Sequence, residues 1–282
     1  MVDLTTLAIP AYIVLMAVEV ASYRFLPDEA EAGYKVRDTA TSLAMGLGSI
    51  AANLGWNALT LGTLLFFARL TPLHASAAWW SWILLFVLDD LRYYWAHRAD
   101  HRVRILWASH VNHHSSRHFN LSTALRQPWT GIGTMPLSIP LVLLGYKPAM
   151  IFTVQAANLL YQFWIHTERI GKLWRPVELV MNTPSHHRVH HASNPQYLDK
   201  NYGGVFIVWD RLFRSFEPEV EPVVYGLTRN IETYNPLRVA FHEYAAIARD
   251  LPAVHGWRAR LGVALRSPGW AYRTVYGATS GS

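Results

Sequence analysis

The 282-residue chain is long enough for one large domain or two small ones, and 51% hydrophobic against only 16% charged residues sets it apart from soluble domains, which carry roughly 25% charged residues. The absence of cysteine excludes disulfides, thiolate zinc sites, iron–sulfur clusters and a catalytic thiol, so any metal must rest on His, Asp or Glu, a donor set suited to iron, zinc or manganese. The net charge of +6 comes from basic residues spread along the chain with no recognition motif around them; basic loops beside a membrane explain it better than nucleic acid, and the twelve Trp and fourteen Tyr suit a membrane interface.

In chain order, residues 4–23 (LTTLAIPAYIVLMAVEVASY) match the length of a spanning helix, about 20 residues per bilayer. They lack the basic n-region and A-x-A-like site of a cleaved signal peptide. Glu19 interrupts them near the polar end, where a carboxylate snorkels to the interface; the rival reading makes it a buried partner for a later helix. A polar loop (24–38) leads to a second apolar stretch, 40–67, where Gly46, Gly48, Asn53 and Asn57 suit close helix packing rather than lipid contact. A third begins at Ala77, meets Asp89 and Asp90, and continues as LRYYWAHRADH. On one helix, Asp90, Tyr94, His97 and His101 share a face at steps of four, three and four. The helix thus leaves the membrane with histidines on its extension, and Asp90 is placed as the carboxylate partner of a ligating imidazole. Residues 130–144, with Pro136 and Pro140, and 148–165 read as a hairpin that enters the bilayer and returns. From Glu168 onward the chain is polar, aromatic and basic, and its tail holds an amphipathic segment, PLRVAFHEYAAIARDL, that packs on the domain or lies on the membrane surface.

The fourteen histidines carry the chemistry. His97 and His101 form HxxxH; His110, His113 and His114 form HxxHH; His187, His190 and His191 form HxxHH again. On a helix these spacings aim the imidazoles at a common point. His166, at the end of the hairpin, is a ninth candidate. One metal takes at most about six protein ligands, so eight or nine imply two metals. His187 is preferred to His186 because it completes the spacing, and the isolated His74, His118, His242 and His255 receive no role. No HExxH motif brings a carboxylate base to the clusters, which speaks against a membrane zinc hydrolase. A haem- or metal-carrying membrane protein that is not an enzyme is the remaining alternative, but the clusters lie at the ends of apolar stretches rather than within them. Two irons held by neutral imidazoles suit O2 activation and attack on a lipid C–H bond. With no GxGxxG or P-loop in the chain, reducing equivalents must come from a separate redox protein or a diffusible reductant.

HRADH (97–101), HVNHH (110–114) and HHRVHH (186–191), in that order with an apolar hairpin before the third, resemble the fatty acid hydroxylase superfamily of integral membrane non-haem di-iron enzymes. The segments NLSTALRQPW (120–129), FWIHTERIG (163–171) and 182–213 resemble most its alkylglycerol monooxygenase and bacterial sterol desaturase-like branch. The likeness covers about residues 85–235. It implies that His97, His101, His110, His113, His114, His187, His190 and His191 ligate two irons, for which zinc can substitute, with His166 as ninth ligand. It also implies site-shaping or catalytic roles for Asp90, Asn182, Asn194 and Asp199, although an Asx turn or helix cap explains Asn194 and Asp199 equally well. Arg102 stands where members of that branch tend to carry Glu, which weakens the transfer of an ether-lipid substrate.

The expected fold is an all-α integral membrane protein with about four transmembrane or hairpin helices and a cytosolic helical cap that holds a histidine-rich dimetal site. Residues 1–84 supply membrane helices, 85–235 the catalytic domain with its hairpin at 130–165, and 236–282 a cytosolic or membrane-surface tail. With the clusters facing the cytosol, the far loops 68–76 and 145–148 carry only Arg69 and Lys147, in keeping with the positive-inside rule.

Overall fold

The computed structural model describes residues 4–27, 31–131, 133 and 135–277; parts of the expected 24–38 loop, hairpin and tail lie outside the described residues. Their regular elements are all helices, with two isolated β-bridges, Met181 to Phe206 and Ala192 to Tyr225, and no strand among them. In order, the helices are α1 (Leu4–Leu7), α2 (Ile9–Phe25), α3 (Val36–Ala68), α4 (Trp79–Arg102), α5 (Arg104–His114), α6 (Met135–Leu143), α7 (Pro148–Trp164), α8 (Arg175–Val180), α9 (Pro184–His190), α10 (Val208–Leu212), α11 (Pro236–Ala253), α12 (Trp257–Leu265) and α13 (Pro268–Tyr276).

α3 is long and apolar enough to cross a membrane, and its most apolar stretch is only 6% buried. A core helix of a soluble protein would be covered; this one offers its apolar surface to the surroundings, as a helix in lipid does. α2 and α4 do the same with Ile13, Val14 and Val18, and with Trp79, Trp80 and Ile83. Gly46 and Gly48 do allow close approach, but of a loop: a Cβ on Gly46 would lie 2.8 Å from the Leu125 carbonyl oxygen, and one on Gly48 would enter the Trp129 ring. Trp129 then donates its indole N–H to the Met45 carbonyl at 2.8 Å. Asn53 and Asn57, expected in a packed interface, are exposed.

α6 is only 9 residues long, too short to span, and returns through Gly145 to the 17-residue α7. Gly145 has φ +90, and a Cβ there would strike the Leu73 backbone at 2.6 Å, so glycine is required at this corner. An apolar core of Leu64, Leu85, Leu141, Ile151 and Val154 joins α3, α4, α6 and α7. Above it, α5 and α9 carry two of the three histidine boxes toward the end of α4.

Candidate metal centre

The chain breaks at Val103, where φ −122 and ψ 113 stop the helix. A straight helix would hold His101 and His110 about 13 Å apart along its axis. The break turns α5 back against α4 instead, and the two boxes face each other. α9 closes the third side, and His166, one residue beyond the cap of α7, closes the fourth.

The nine histidines fall into two groups. His97, His101, His110, His114 and His190 form one; His113, His166, His187 and His191 form the other; within each, one ring nitrogen from every member lies within 4.8 Å of the rest. In the first, the Nε2 atoms of His97 and His110 are 2.9 Å apart and those of His110 and His114 are 3.0 Å apart. In the second, His166 Nε2 lies 2.9 Å from His187 Nε2 and 3.2 Å from His113 Nε2. The groups adjoin: the His114 and His191 rings stack with centroids 4.3 Å apart.

Backbone carbonyls set the tautomers. His97 donates its Nδ1 proton to the Tyr202 carbonyl at 2.9 Å, His166 to that of Gln162 at 2.7 Å, and His190 to that of Lys200 at 3.0 Å. A carbonyl only accepts, so each of these neutral rings turns a bare Nε2 lone pair inward. Burial, reinforced by neighbouring imidazoles, pushes His110, His113, His114, His187, His190 and His191 well below the ordinary imidazole value of 6.5. The rings are therefore neutral, the form that binds metal. Lone pairs converging at about 3 Å repel one another until a cation lies among them, and the Nε2 atoms of His101 and His190 are buried with no hydrogen-bond partner. The donor set fits two borderline metal ions, one per group.

Aromatic rings close the site. Phe119 lies over the second group, with centroids 5.0 Å from His191 and 5.7 Å from His166. Trp107 and Tyr202 flank the first, 4.9 and 5.3 Å from His101. These three carry no periodic signal in the sequence; only their nearness to the boxes hints at them.

The remaining residues singled out from the sequence act on the frame. Asp90 accepts hydrogen bonds from the backbone N–H of Val205 and Phe206, the indole of Trp209 and the amide of Asn158. It holds the loop that supplies the Tyr202 carbonyl; the hydrogen-bond partner of His97 is that carbonyl and not Asp90. Asn182 donates to the Gly203 carbonyl of the same loop. Asn194 lies apart and fastens residues 222–224. Asp199, in the left-handed region at φ 60, pairs with Arg102 at 2.9 Å and lies 4.0 Å from His101 Nδ1. His186 belongs to neither group and pairs with Glu178 at 2.9 Å. Glu19 is buried, contrary to the snorkelling expected of it: it accepts from Tyr34, Thr167 and the Leu121 N–H.

Comparison with known proteins places this geometry. The family model described as fatty acid hydroxylase matches residues 82–215. The chain is similar to alkylglycerol monooxygenase of Homo sapiens, 40% identical over 95% of this chain and 60% of that protein. It is also similar to alkylglycerol monooxygenase of Danio rerio, 43% identical over 84% of this chain and 53% of that protein. A more distant relative is an ornithine lipid hydroxylase of Rhizobium tropici, 28% identical over 50% of this chain and 43% of that protein. The chain therefore spans only about two-fifths to three-fifths of the length of these curated relatives. No solved structure matches it. With all nine clustered histidines and the loop that orients them inside the matched segment, residues 82–215 are a fatty acid hydroxylase domain.

Proposed function

We propose that this chain is a membrane-bound non-haem di-iron oxidoreductase that uses O2 to hydroxylate a lipid C–H bond, with alkylglycerol ether lipids as the first substrate class to test. One observation carries the reading: nine histidines, eight of them buried and His110 half-buried, lie in two adjoining groups with no carboxylate among them. A zinc hydrolase needs a carboxylate base beside its metal, and the named relatives are a monooxygenase and a hydroxylase, so hydrolysis is not favoured. Desaturation of the same bond is the neighbouring outcome, since a sterol desaturase is also a relative. Arg102 does not stand against an ether-lipid substrate, because its side chain turns outward to Asp199.

Bound iron would supply the activation of O2 and the oxidation of the C–H bond. One oxygen atom enters the lipid and the other leaves as water, with two electrons and two protons from an external donor. The chain's own part is positional. His97, His101, His110, His114 and His190 would hold one ion, and His113, His166, His187 and His191 the other. Phe119, Trp107 and Tyr202 exclude bulk water from the site. An apolar groove of about 340 Å³ between α4 and α7, lined by Trp82, Phe86, Val154, Ala157 and Phe206, offers an alkyl chain a path along the membrane face. Phe206, part of its wall, donates its backbone N–H to Asp90. In this reading α2, α3, α4 and the α6–α7 hairpin lie in the bilayer, the histidines face the cytoplasm, residues 85–235 are the catalytic unit, and the tail after 236 stays on the same face.

The test is metal analysis of protein purified with its native metal, together with O2 uptake on adding 1-O-alkylglycerol. Two irons per chain and lipid-dependent uptake support the reading. Fewer than two metals per chain, or turnover without O2, overturns it.

A further inference from the structure

The segment from Val254 to Gly277 carries Arg258, Arg260, Arg266 and Arg273 and not one Asp or Glu. None of the four arginines forms an ion pair among the described residues. Within it, α12 buries Gly262 and Val263. Its other face presents Trp257, Leu261 and Leu265, which are 67%, 49% and 54% exposed. Steps of four place these three in one ridge, and at 100° per residue Arg258 and Arg260 flank it on either side. The Arg258 guanidinium lies over the Trp257 ring, 5.3 Å from its centroid, a cation–π contact that holds positive charge at the end of the ridge. α4 ends at Arg102, and the first residue of α5, Arg104, donates its backbone N–H to the Arg266 carbonyl at 3.0 Å, so α12 packs at the α4–α5 junction.

A convex apolar ridge with Trp at one end, flanked by unpaired arginines and free of acids, matches the headgroup boundary of an anionic leaflet. We propose that α12, with Arg266 and Arg273 beside it, is an interfacial anchor that beds the apolar ridge in the bilayer and binds anionic phospholipid headgroups. The proposal rests on the reading of the chain as a membrane enzyme. An acidic protein partner would meet the same charge, but a single convex ridge offers it no groove.

Because the chain has no cysteine, the test is direct. An environment-sensitive fluorophore is attached to Leu261→Cys of the full chain in nanodiscs of phosphatidylcholine, with and without phosphatidylglycerol. A spin-labelled lipid serves as quencher. Val220→Cys, on an exposed loop, is the control. Stable incorporation of the protein into the discs tests the membrane reading separately. Quenching at 261 should exceed that at 220 by at least about twofold, rise with phosphatidylglycerol, and fall back at high salt. Replacing the four arginines by Gln should abolish the dependence on phosphatidylglycerol and leave metal content unchanged. A label at 261 as water-exposed as that at 220 overturns the proposal, as does quenching that ignores lipid charge or shielding that requires an added soluble protein.

Discussion

Glu19 shows how one side chain can reach the site from a distance. Its carboxylate takes the hydroxyl of Thr167, next to His166, and the N–H of Leu121, two residues from Phe119. Thr167 in turn offers its carbonyl to Arg188, the neighbour of His187. Three members or covers of the four-histidine group therefore hang from a residue on α2. Replacing it leaves those donors buried and unmatched, at a cost of about 1–3 kcal/mol each. Glu19→Ala should weaken metal binding at the four-histidine group roughly tenfold and leave the five-histidine group loaded, so a metal titration should show one tight and one weakened site. Equal weakening of both, or of neither, would contradict this. Asp90→Ala removes the acceptor of four hydrogen bonds and should destabilise the fold by about 3 kcal/mol or more, as read by thermal unfolding. Asp90→Asn, which keeps two of those bonds, should lose less. The residue types at both positions were visible in the sequence, but their partners were not. A carboxylate near the end of an apolar stretch looks the same whether it meets water or a loop more than a hundred residues away.

At the scale of elements, the HxxxH and HxxHH spacings announced the three histidine boxes because helical periodicity is local. The break at Val103 and the fold-back of α5 were not legible, since Val103 is no helix breaker by type. Tertiary contact holds it: Arg104, fully buried, binds Glu243 at 2.7 Å and Asp250 at 2.6 Å, both on α11, and Tyr272 of α13 donates to Glu243. The amphipathic segment found near 236 thus packs on the domain through α5 and fixes where the second histidine box begins. Removing one partner leaves a buried guanidinium half-compensated. Glu243→Ala should cost about 3 kcal/mol, lower the unfolding temperature, and reduce metal retention through displacement of α5. A variant that unfolds at the wild-type temperature would show the cluster to be dispensable.

For the whole molecule, the apolar stretches and the histidine boxes were readable because each is a pattern in one segment. The partition of nine histidines into five and four, with His190 and His191 in different groups, depends on how α4, α5, α7 and α9 meet, and no spacing encodes it. That partition has a consequence for pH. Burial and neighbouring imidazoles hold six rings on α5, on α9 and at its cap well below 6.5 in the folded chain. Below 6.5 the unfolded chain binds protons that the folded chain does not, so stability is full above that value and declines as pH falls beneath it. Metal-stripped protein should therefore show a falling unfolding temperature from about pH 6.5 downward, and a flat profile between pH 7 and pH 5 would contradict neutral, buried imidazoles.

The measurement that bears most directly on the central claim is the source of oxygen in the product. Protein loaded with ferrous iron in nanodiscs, given a reductant and 1-O-alkylglycerol under isotopically labelled O2, should place one labelled atom in the oxidised lipid product, with none taken from labelled water when the labels are reversed. His113→Ala should abolish the incorporation. Oxygen drawn only from water, or product formed without O2, would show that the two histidine groups serve hydrolysis rather than oxidation.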